Sequence, residues 1–446
     1  MEKFDVIVIG TGSGSSVAKR CAAAGKKTAI IDCQPFSGTC ALRGCDPKKV
    51  LVGLAHALAL SEQLKGKGIE DAAIYSWNDL MQFKKNFTEP KIPKTESILK
   101  EAGISIYHGR AIFIAENTMK VNENILYAEK FVMANGAAPA KLSIPGEDLL
   151  IDSTAFLELE ELPKEILLVG GGYIAFEFAH IVSRFGVKAT IVHRGKRPLE
   201  KFDADLVNLL MKASEDLGIK IILNAEVKSI TKENDHFFVR ADQQGKDIVL
   251  STSLAVHAAG RTPDIFDMGL EKMNISFGKK GIAVNDFMQS VSNDNVYACG
   301  DANDKGLPLT PVASTEGIVL ADNLLKGNYK KIEYGNIPSN VFTIPALGAV
   351  GLTEQEAKEK NLNYDVHFKD TTDWYSSKRL NETVSGFKVL VDKDTEQIIG
   401  AHLLGPNAEE TINLFTLAMN AGIKTSDLKK TIFSYPTNAS DIVHMM

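Results

Sequence analysis

The chain has 446 residues, a length that at about 150 residues per domain predicts about three domains. Hydrophobic residues make up 44% and charged residues 24%, enough apolar material for more than one core. Fifty Lys and Arg against 56 Asp and Glu leave a net charge of −6, which excludes a chain-wide basic surface able to grip nucleic acid. The most apolar long stretch, 166–182, carries three consecutive glycines, Glu177 and His180, so no membrane span is expected. The N-terminus enters the apolar run Val6 to Ile9 without a basic leader, which points to a cytoplasmic protein. The five cysteines are Cys21, Cys33, Cys40, Cys45 and Cys299. So few argue against a disulfide scaffold, and the closeness of two of them suggests redox or metal chemistry.

Residues 4–32 read as strand, glycine turn, helix, strand. Phe4 to Ile9 is a buried strand ending at Gly10-Thr11-Gly12-Ser13-Gly14-Ser15. A small-residue helix follows through Ala24, and Thr28 to Ile31 is the next strand, closed by Asp32. In Gly10-x-Gly12-x-x-Ser15 the first glycine permits a tight turn and the second lets backbone approach a pyrophosphate. Asp32 stands where an acid holds a ribose hydroxyl. The alternative is a plain glycine-rich loop.

Next comes Ser37-Gly38-Thr39-Cys40-Ala41-Leu42-Arg43-Gly44-Cys45-Asp46-Pro47-Lys48-Lys49. In a regular helix this spacing leaves the two cysteine Cα atoms roughly 8–9 Å apart. A disulfide needs about 4.4–6.8 Å, so pairing predicts a distorted turn, which Gly44 can supply. Two sulfurs without a second pair or histidines make a poor zinc site, and no metal is assigned.

Gly136 to Gly146, with Pro139 and Pro145, reads as a linker. Residues 166–193 repeat the first design: strand Ile166 to Val169, turn Gly170-x-Gly172-x-x-Ala175, helix to about Phe185, strand Ala189 to Val192. No acid follows this second strand. Arg194 and Arg197 are placed to clasp a 2′-phosphate, which favours NADPH, unless they are solvated surface cations. A second boundary falls at Gly260-Arg261-Thr262-Pro263, and Asn295 to Cys299 reads as a strand. From about Asn336 the pattern becomes mixed, with strands at 341–342, 387–391 and 398–404 and helices at 353–360 and 407–421.

The cysteine stretch, with Ala298-Cys299-Gly300-Asp301 and Leu309-Thr310-Pro311-Val312-Ala313 behind it, resembles the class I pyridine nucleotide-disulfide oxidoreductases. That family includes glutathione reductase, dihydrolipoamide dehydrogenase and mercuric reductase. Ala134-Asn135-Gly136 and Ala259-Gly260-Arg261-Thr262-Pro263 resemble its two linkers, and the likeness spans essentially the whole chain. The resemblance implies an α/β fold: two Rossmann-like dinucleotide-binding domains, for FAD and NADPH, plus a C-terminal α+β dimerisation domain. Domains are expected at 1–137 (FAD, first part), 138–263 (NAD(P)H), 264–333 (FAD/central, second part) and 334–446 (dimerisation).

It also implies a homodimer and a set of site residues. FAD contacts are expected at Gly10, Gly12, Ser13, Gly14, Asp32, Thr39, Lys48, Ala111, Gly136, Asp301 and Thr310, with Asp301 on the ribityl chain. NADPH contacts are expected at Gly170, Gly172, Tyr173, Ile174, Glu177, Arg194, Arg197, Gly260 and Arg261. Lys48 and Glu177 are expected to pair near the flavin N5. Electrons would run from NADPH through FAD to a Cys40–Cys45 disulfide; Cys45 then stays by the flavin while Cys40 attacks a small disulfide.

The chain departs from the family pattern at its end. Disulfide reductases of the family carry His-Pro-Thr-x-x-Glu there, the histidine protonating the leaving thiol. Here Tyr435 stands at the histidine position and Ser440 at the glutamate position. An ordinary tyrosine donating to a thiolate is uphill by roughly 2 kcal/mol, which favours acidic leaving thiols or acceptors that need no proton. Mercuric reductases also have a tyrosine in this region but end in a cysteine pair, whereas this chain ends Met445-Met446. Metal-ion or quinone reduction and a low-turnover redox sensor are therefore the alternatives. Arg20 matches a glutathione-contacting arginine, Ile318 replaces another, and Arg43 and Asp46 beside the cysteines are atypical. Trp374, Tyr375 and Arg379 are either cleft residues or ordinary core and surface residues, and Cys21, Cys33 and Cys299 are expected to be packing residues.

Overall fold

The computed structural model describes residues 1–446, which form two compact units. One comprises Met1–Lys48, Gln82–Lys141 and Gly260–Tyr334, and the other Lys49–Met81, Leu142–Ala259 and Gly335–Met446.

The first unit is built on a seven-stranded sheet. Strand Glu2–Ile9 pairs in parallel with Thr28–Asp32 on one side and with Asn124–Met133 on the other, Ile9 standing opposite Ile31 and Met133. Ser105–His108 extends the sheet in parallel beyond Thr28–Asp32, and Val296–Ala298 joins in parallel at the end of Asn124–Met133. Strands covered on both faces read as unbroken apolar runs. Accordingly Val6 to Ile9 and Ala29 to Ile31 are all buried, against Val17, Ala18 and Cys21 of the helix Ser13–Ala23 and Leu320 and Ala321 of the helix Thr310–Lys326. The helix Lys91–Glu101, outside every element read from the sequence, adds Leu99 to the same core.

The two segments read as linkers do not run independently. Ala137–Pro139 and Arg261–Pro263 pair as an antiparallel ribbon, Thr262 opposite Ala138. Pairing across more than a hundred residues leaves no local trace in either segment.

The second unit holds a four-stranded parallel sheet ordered Lys220–Ile222, Lys188–Val192, Glu165–Val169, Leu254–His257. It is covered by the helix Tyr173–Arg184, buried along Ala175 to Val182. A three-stranded antiparallel meander follows at Ala225–Glu233, His236–Gln243 and Lys246–Thr252. The last part is a five-stranded sheet ordered Ser339–Val341, Ala346–Gly351, Ile398–Gly405, Gly386–Asp392, Tyr364–Asp370, all neighbours antiparallel. Ile412, Phe415 and Ala418 of the helix Ala408–Asn420 pack on Val389, Ala401 and Leu403 of this sheet.

Two of these strands escape a reading by propensity. Ala346–Gly351 is mostly Ala and Gly with only Val350 β-branched, and Tyr364–Asp370 is an edge strand that is mostly exposed. No helix is long and apolar enough to cross a membrane.

Candidate active site

The first glycine turn is fixed by sterics. Gly10 has φ 101°, and a Cβ there would lie 2.1 Å from the Ala134 carbonyl oxygen, so no other residue fits. Gly12 precedes the helix Ser13–Ala23 without any side-chain cap, so the Ser13 and Gly14 N–H groups face outward to receive an anion while the Ser15 N–H donates to the Gly12 carbonyl. A Cβ on Gly38 would lie 2.5 Å from Gly12 Cα, so the turn and the start of the cysteine segment touch backbone to backbone. Asp32 closes the arrangement. Its Oδ2 accepts from the Thr11 N–H at 2.8 Å and the Thr11 hydroxyl at 2.6 Å, and Thr11 Oγ1 in turn accepts from the Ser37 N–H at 3.1 Å. Ser13 and Gly14 open the helix beside it, while Ala111 is buried in its strand. Gly136, at φ 72°, accepts from the Asp264 N–H through its carbonyl.

The expected distortion between the cysteines is present. The helix Gly38–Arg43 stops, Gly44 takes φ −144° and ψ −113°, and a new helix begins at Cys45. At Gly44 a Cβ would meet the Thr39 carbonyl oxygen at 3.0 Å and Cys40 Cα at 3.3 Å. This break brings the two thiols into hydrogen-bond contact. The hydrogen bond from Cys40 holds the Cys45 thiol down to about 6 against the opposing effect of burial, with help from the Thr310 hydroxyl and the Lys48 charge. The same hydrogen bond and burial push Cys40 up. The two directions make Cys45 the more acidic thiol of the pair. Thr310 Oγ1 lies 3.7 Å from Cys45 Sγ. Of the other cysteines, Cys21 and Cys299 are buried as expected of packing residues, but Cys33 is exposed: it follows Asp32 out of the sheet.

Sequence reading missed Glu316. Fully buried, it accepts from the Gly300 N–H at 2.6 Å and Asn303 Nδ2 at 2.7 Å through one oxygen, and from the Tyr334 hydroxyl at 2.7 Å through the other. It thereby fixes the turn Gly300–Ala302, which carries Asp301. The available signal was an acid on the apolar face of a helix, in line with Val312, Val319 and Leu320. Burial pushes the Asp301 carboxyl up, and the charge of Arg261 partly offsets this.

In the second unit Gly170 repeats the steric logic of Gly10, at φ 127° with a Cβ 2.2 Å from the Ala258 carbonyl oxygen. Gly172 is an extended N-cap without a side-chain acceptor, and Tyr173, exposed, and Ile174, half-buried, start the helix. Glu177 is buried and accepts from the Phe342 N–H at 2.9 Å. Arg197 spends its guanidinium on the carbonyls of Phe202, 2.7 Å, and Glu200, 3.0 Å, which leaves Arg194 and Lys196 as the exposed cations of that loop. Gly260 and Arg261 belong to the first unit, where Arg261 donates to the Ala137 carbonyl.

Tyr435 is 80% exposed. Ser440, at the position of the family's glutamate, caps its own turn by exchanging hydrogen bonds with Thr437, and the neighbouring Asp441 accepts from the Ser376 hydroxyl at 2.5 Å.

The sequence pattern described as pyridine nucleotide-disulphide oxidoreductase matches residues 4–317, and its dimerisation domain matches residues 337–446. A glutathione reductase of Nostoc sp. is 32% identical over 99% of both chains. A mercuric reductase of Bacillus cereus is 29% identical over 98% of this chain and 70% of that protein. The Cu(II) complex of the HOCl-induced flavoprotein disulfide reductase RclA from Escherichia coli superposes with a TM-score of 0.89 at 28% identity, covering 100% of this chain and 99% of that one. FAD and NAD(P)H are the cofactors of such enzymes, and the uncapped helix starts and the steric glycines at residues 10 and 170 fit dinucleotide phosphates. The chain thus belongs to the pyridine nucleotide-disulphide oxidoreductases, as an FAD-dependent disulfide oxidoreductase with a dimerisation domain.

Proposed function

We propose that this enzyme uses NADPH to reduce a small disulfide through the Cys40–Cys45 couple. The observation that carries the reading is the pair of thiols brought into contact across the break at Gly44, with Thr310 Oγ1 3.7 Å from Cys45 Sγ. Bound FAD supplies the electron relay between the nicotinamide and the cysteines. The turn Gly10–Gly14, Asp32, Thr39, Gly136 and Asp301 hold FAD, and Gly170, Gly172, Tyr173, Ile174, Glu177 and Arg194 hold NADPH. Arg197 shapes the loop that presents Arg194. Segments 1–137 and 264–333 serve FAD, 138–263 serves NADPH, and 334–446 makes a homodimer that works in the cytoplasm.

The chemistry balances as follows. Reduction breaks the Cys40–Cys45 bond, adding two electrons and a proton that stays on Cys40. Cys40, deprotonated, attacks the substrate disulfide, forming a mixed disulfide and releasing one thiolate. Cys45 attacks Cys40 sulfur, restoring the bridge and releasing the second. Each cycle consumes one NADPH and one proton and yields two thiols.

A second reading is favoured by Tyr435, which stands where the family carries a histidine acid. An acceptor needing no proton, such as a metal ion or a quinone, tolerates that replacement. The relatives named for mercuric ion and the Cu(II) complex point the same way. NADPH oxidation against glutathione disulfide, coenzyme A disulfide, mercuric and cupric ions and quinones separates the readings. Fast turnover with a disulfide, lost in Cys40→Ser, supports the first; turnover confined to metal or quinone supports the second. Slow oxidation with every acceptor would leave a redox sensor. A long-wavelength absorbance band on anaerobic reduction that survives Cys45→Ser would remove the cysteine assignment.

A further inference from the structure

Lys91 and Thr95 lie one turn apart on the helix Lys91–Glu101 and share a face. Each touches one end of the segment that carries the cysteines. Thr95 Oγ1 lies 3.1 Å from Ser37 Oγ, just before Cys40. Lys91 Nζ forms an ion pair with Asp46, the residue after Cys45. One helix face therefore fastens residues 37–46 at both ends.

The fastening at Asp46 has an electrostatic consequence. Asp46 lies in the first turn of the helix that Cys45 opens, and its charge opposes a thiolate on either cysteine. The groups that act on Cys45 in the other sense are the Cys40 thiol, the Thr310 hydroxyl and the Lys48 ammonium. An adjacent cation neutralises much of a carboxylate's field at short range.

We propose that the Asp46–Lys91 ion pair sets the charge environment of the Cys40–Cys45 couple: Lys91 masks Asp46, and the mask lets Cys45 carry a thiolate in the reduced enzyme. This rests on the reading above that these cysteines are the redox couple. Neither residue reacts; both act on Cys45 as positioning residues. The two charges then have opposite effects when removed. Asp46→Asn takes away the opposing charge, stabilises the thiolate and makes the bridge easier to reduce. Lys91→Gln uncovers the Asp46 charge, disfavours the thiolate and makes the bridge harder to reduce. A clamp that worked only by holding the segment would weaken in the same sense from either cut.

The test uses the FAD-loaded protein reduced by NADPH. Iodoacetamide alkylation at Cys40 and Cys45 is read separately by peptide mass across the acid to neutral range, and the dithiol-to-disulfide ratio is read in glutathione buffers. Both partners are partly exposed, 36% and 45%, so solvent screening reduces the effect. The expected midpoint for Cys45 falls by about half a pH unit in Asp46→Asn and rises by about as much in Lys91→Gln, a roughly threefold change in thiolate in each direction. The dithiol-to-disulfide ratio moves with it, and Lys91→Arg restores wild-type values. Shifts in the same direction, or no shift in either variant, would overturn the proposal. A wild-type protein that gains no pair of thiols on reduction would instead overturn the functional reading on which it stands.

Discussion

Glu316 is the sharpest place to test how the Asp301 turn is built. Replacing it by Ala leaves the Gly300 N–H and one of the two Asn303 amide hydrogens without an acceptor, the other still donating to the Gly300 carbonyl, while Tyr334, half-buried, turns its hydroxyl to water. Each lost hydrogen bond to a charged acceptor costs about 1.5–3 kcal/mol. Burial already pushes the Glu316 carboxyl up, so removing it relieves some desolvation and offsets part of that cost. The net expectation for Glu316→Ala is about 3–4 kcal/mol of lost stability. Glu316→Gln is the control. Its amide oxygen still accepts from Gly300 and Asn303, and its NH₂ donates to the Tyr334 oxygen, so it loses only about 1 kcal/mol. Urea unfolding at constant m-value measures both, and the ratio of flavin to protein absorbance after gel filtration reads how firmly FAD is kept. Equal losses in the two variants, or a loss below about 1 kcal/mol in Glu316→Ala, would refute this account of the turn.

Other consequences follow from the same kind of reasoning. Gly10→Ala forces a Cβ to 2.1 Å from the Ala134 oxygen at φ 101°, so its soluble yield and Tm should fall sharply; a wild-type Tm would contradict the steric argument. His180 is fully buried between Ser214 and Ile344, and burial pulls its pKa down to about 3. An unfolded chain binds that proton near pH 6.5, so stability should fall as pH drops from about 6.5 toward 3. His180→Gln should flatten that acid limb, and an unchanged slope of unfolding free energy against pH would count against it. Lys388, 2% exposed, is surrounded by Asp203, Asp205 and Glu354. Burial opposes its charge, yet the three carboxylates raise its pKa. Lys388→Met should cost about 3–5 kcal/mol, mostly from the stranded Asp203, and adding Asp203→Asn should recover part of it. Urea midpoints that show no recovery would rule out the stranded charge as the cause.

How far the site was legible follows from how near its determinants lie along the chain. Both glycine turns, Asp32 at the strand end and the helix break at Gly44 show as residue types at short spacing, although the atoms that crowd Gly10 and Gly170 come from the distant Ala134 and Ala258. The arginine pair after the second turn was readable as charge but not as geometry, because Arg197 turns back onto its own loop. Cys33 looked like core by residue type and is exposed because the strand has ended before it.

The sequence by itself determined the two nucleotide units, the paired cysteines and the substitution of tyrosine for the family's terminal histidine, since each is a matter of residue identity at short spacing. Only the tertiary structure decided that Lys91 meets Asp46, that Thr310 meets Cys45, that Glu316 holds Gly300, and that the two linkers pair with each other. Those contacts depend on the register of strands and the docking of helices. Many local sequences satisfy that packing equally well, so no single stretch of chain encodes it.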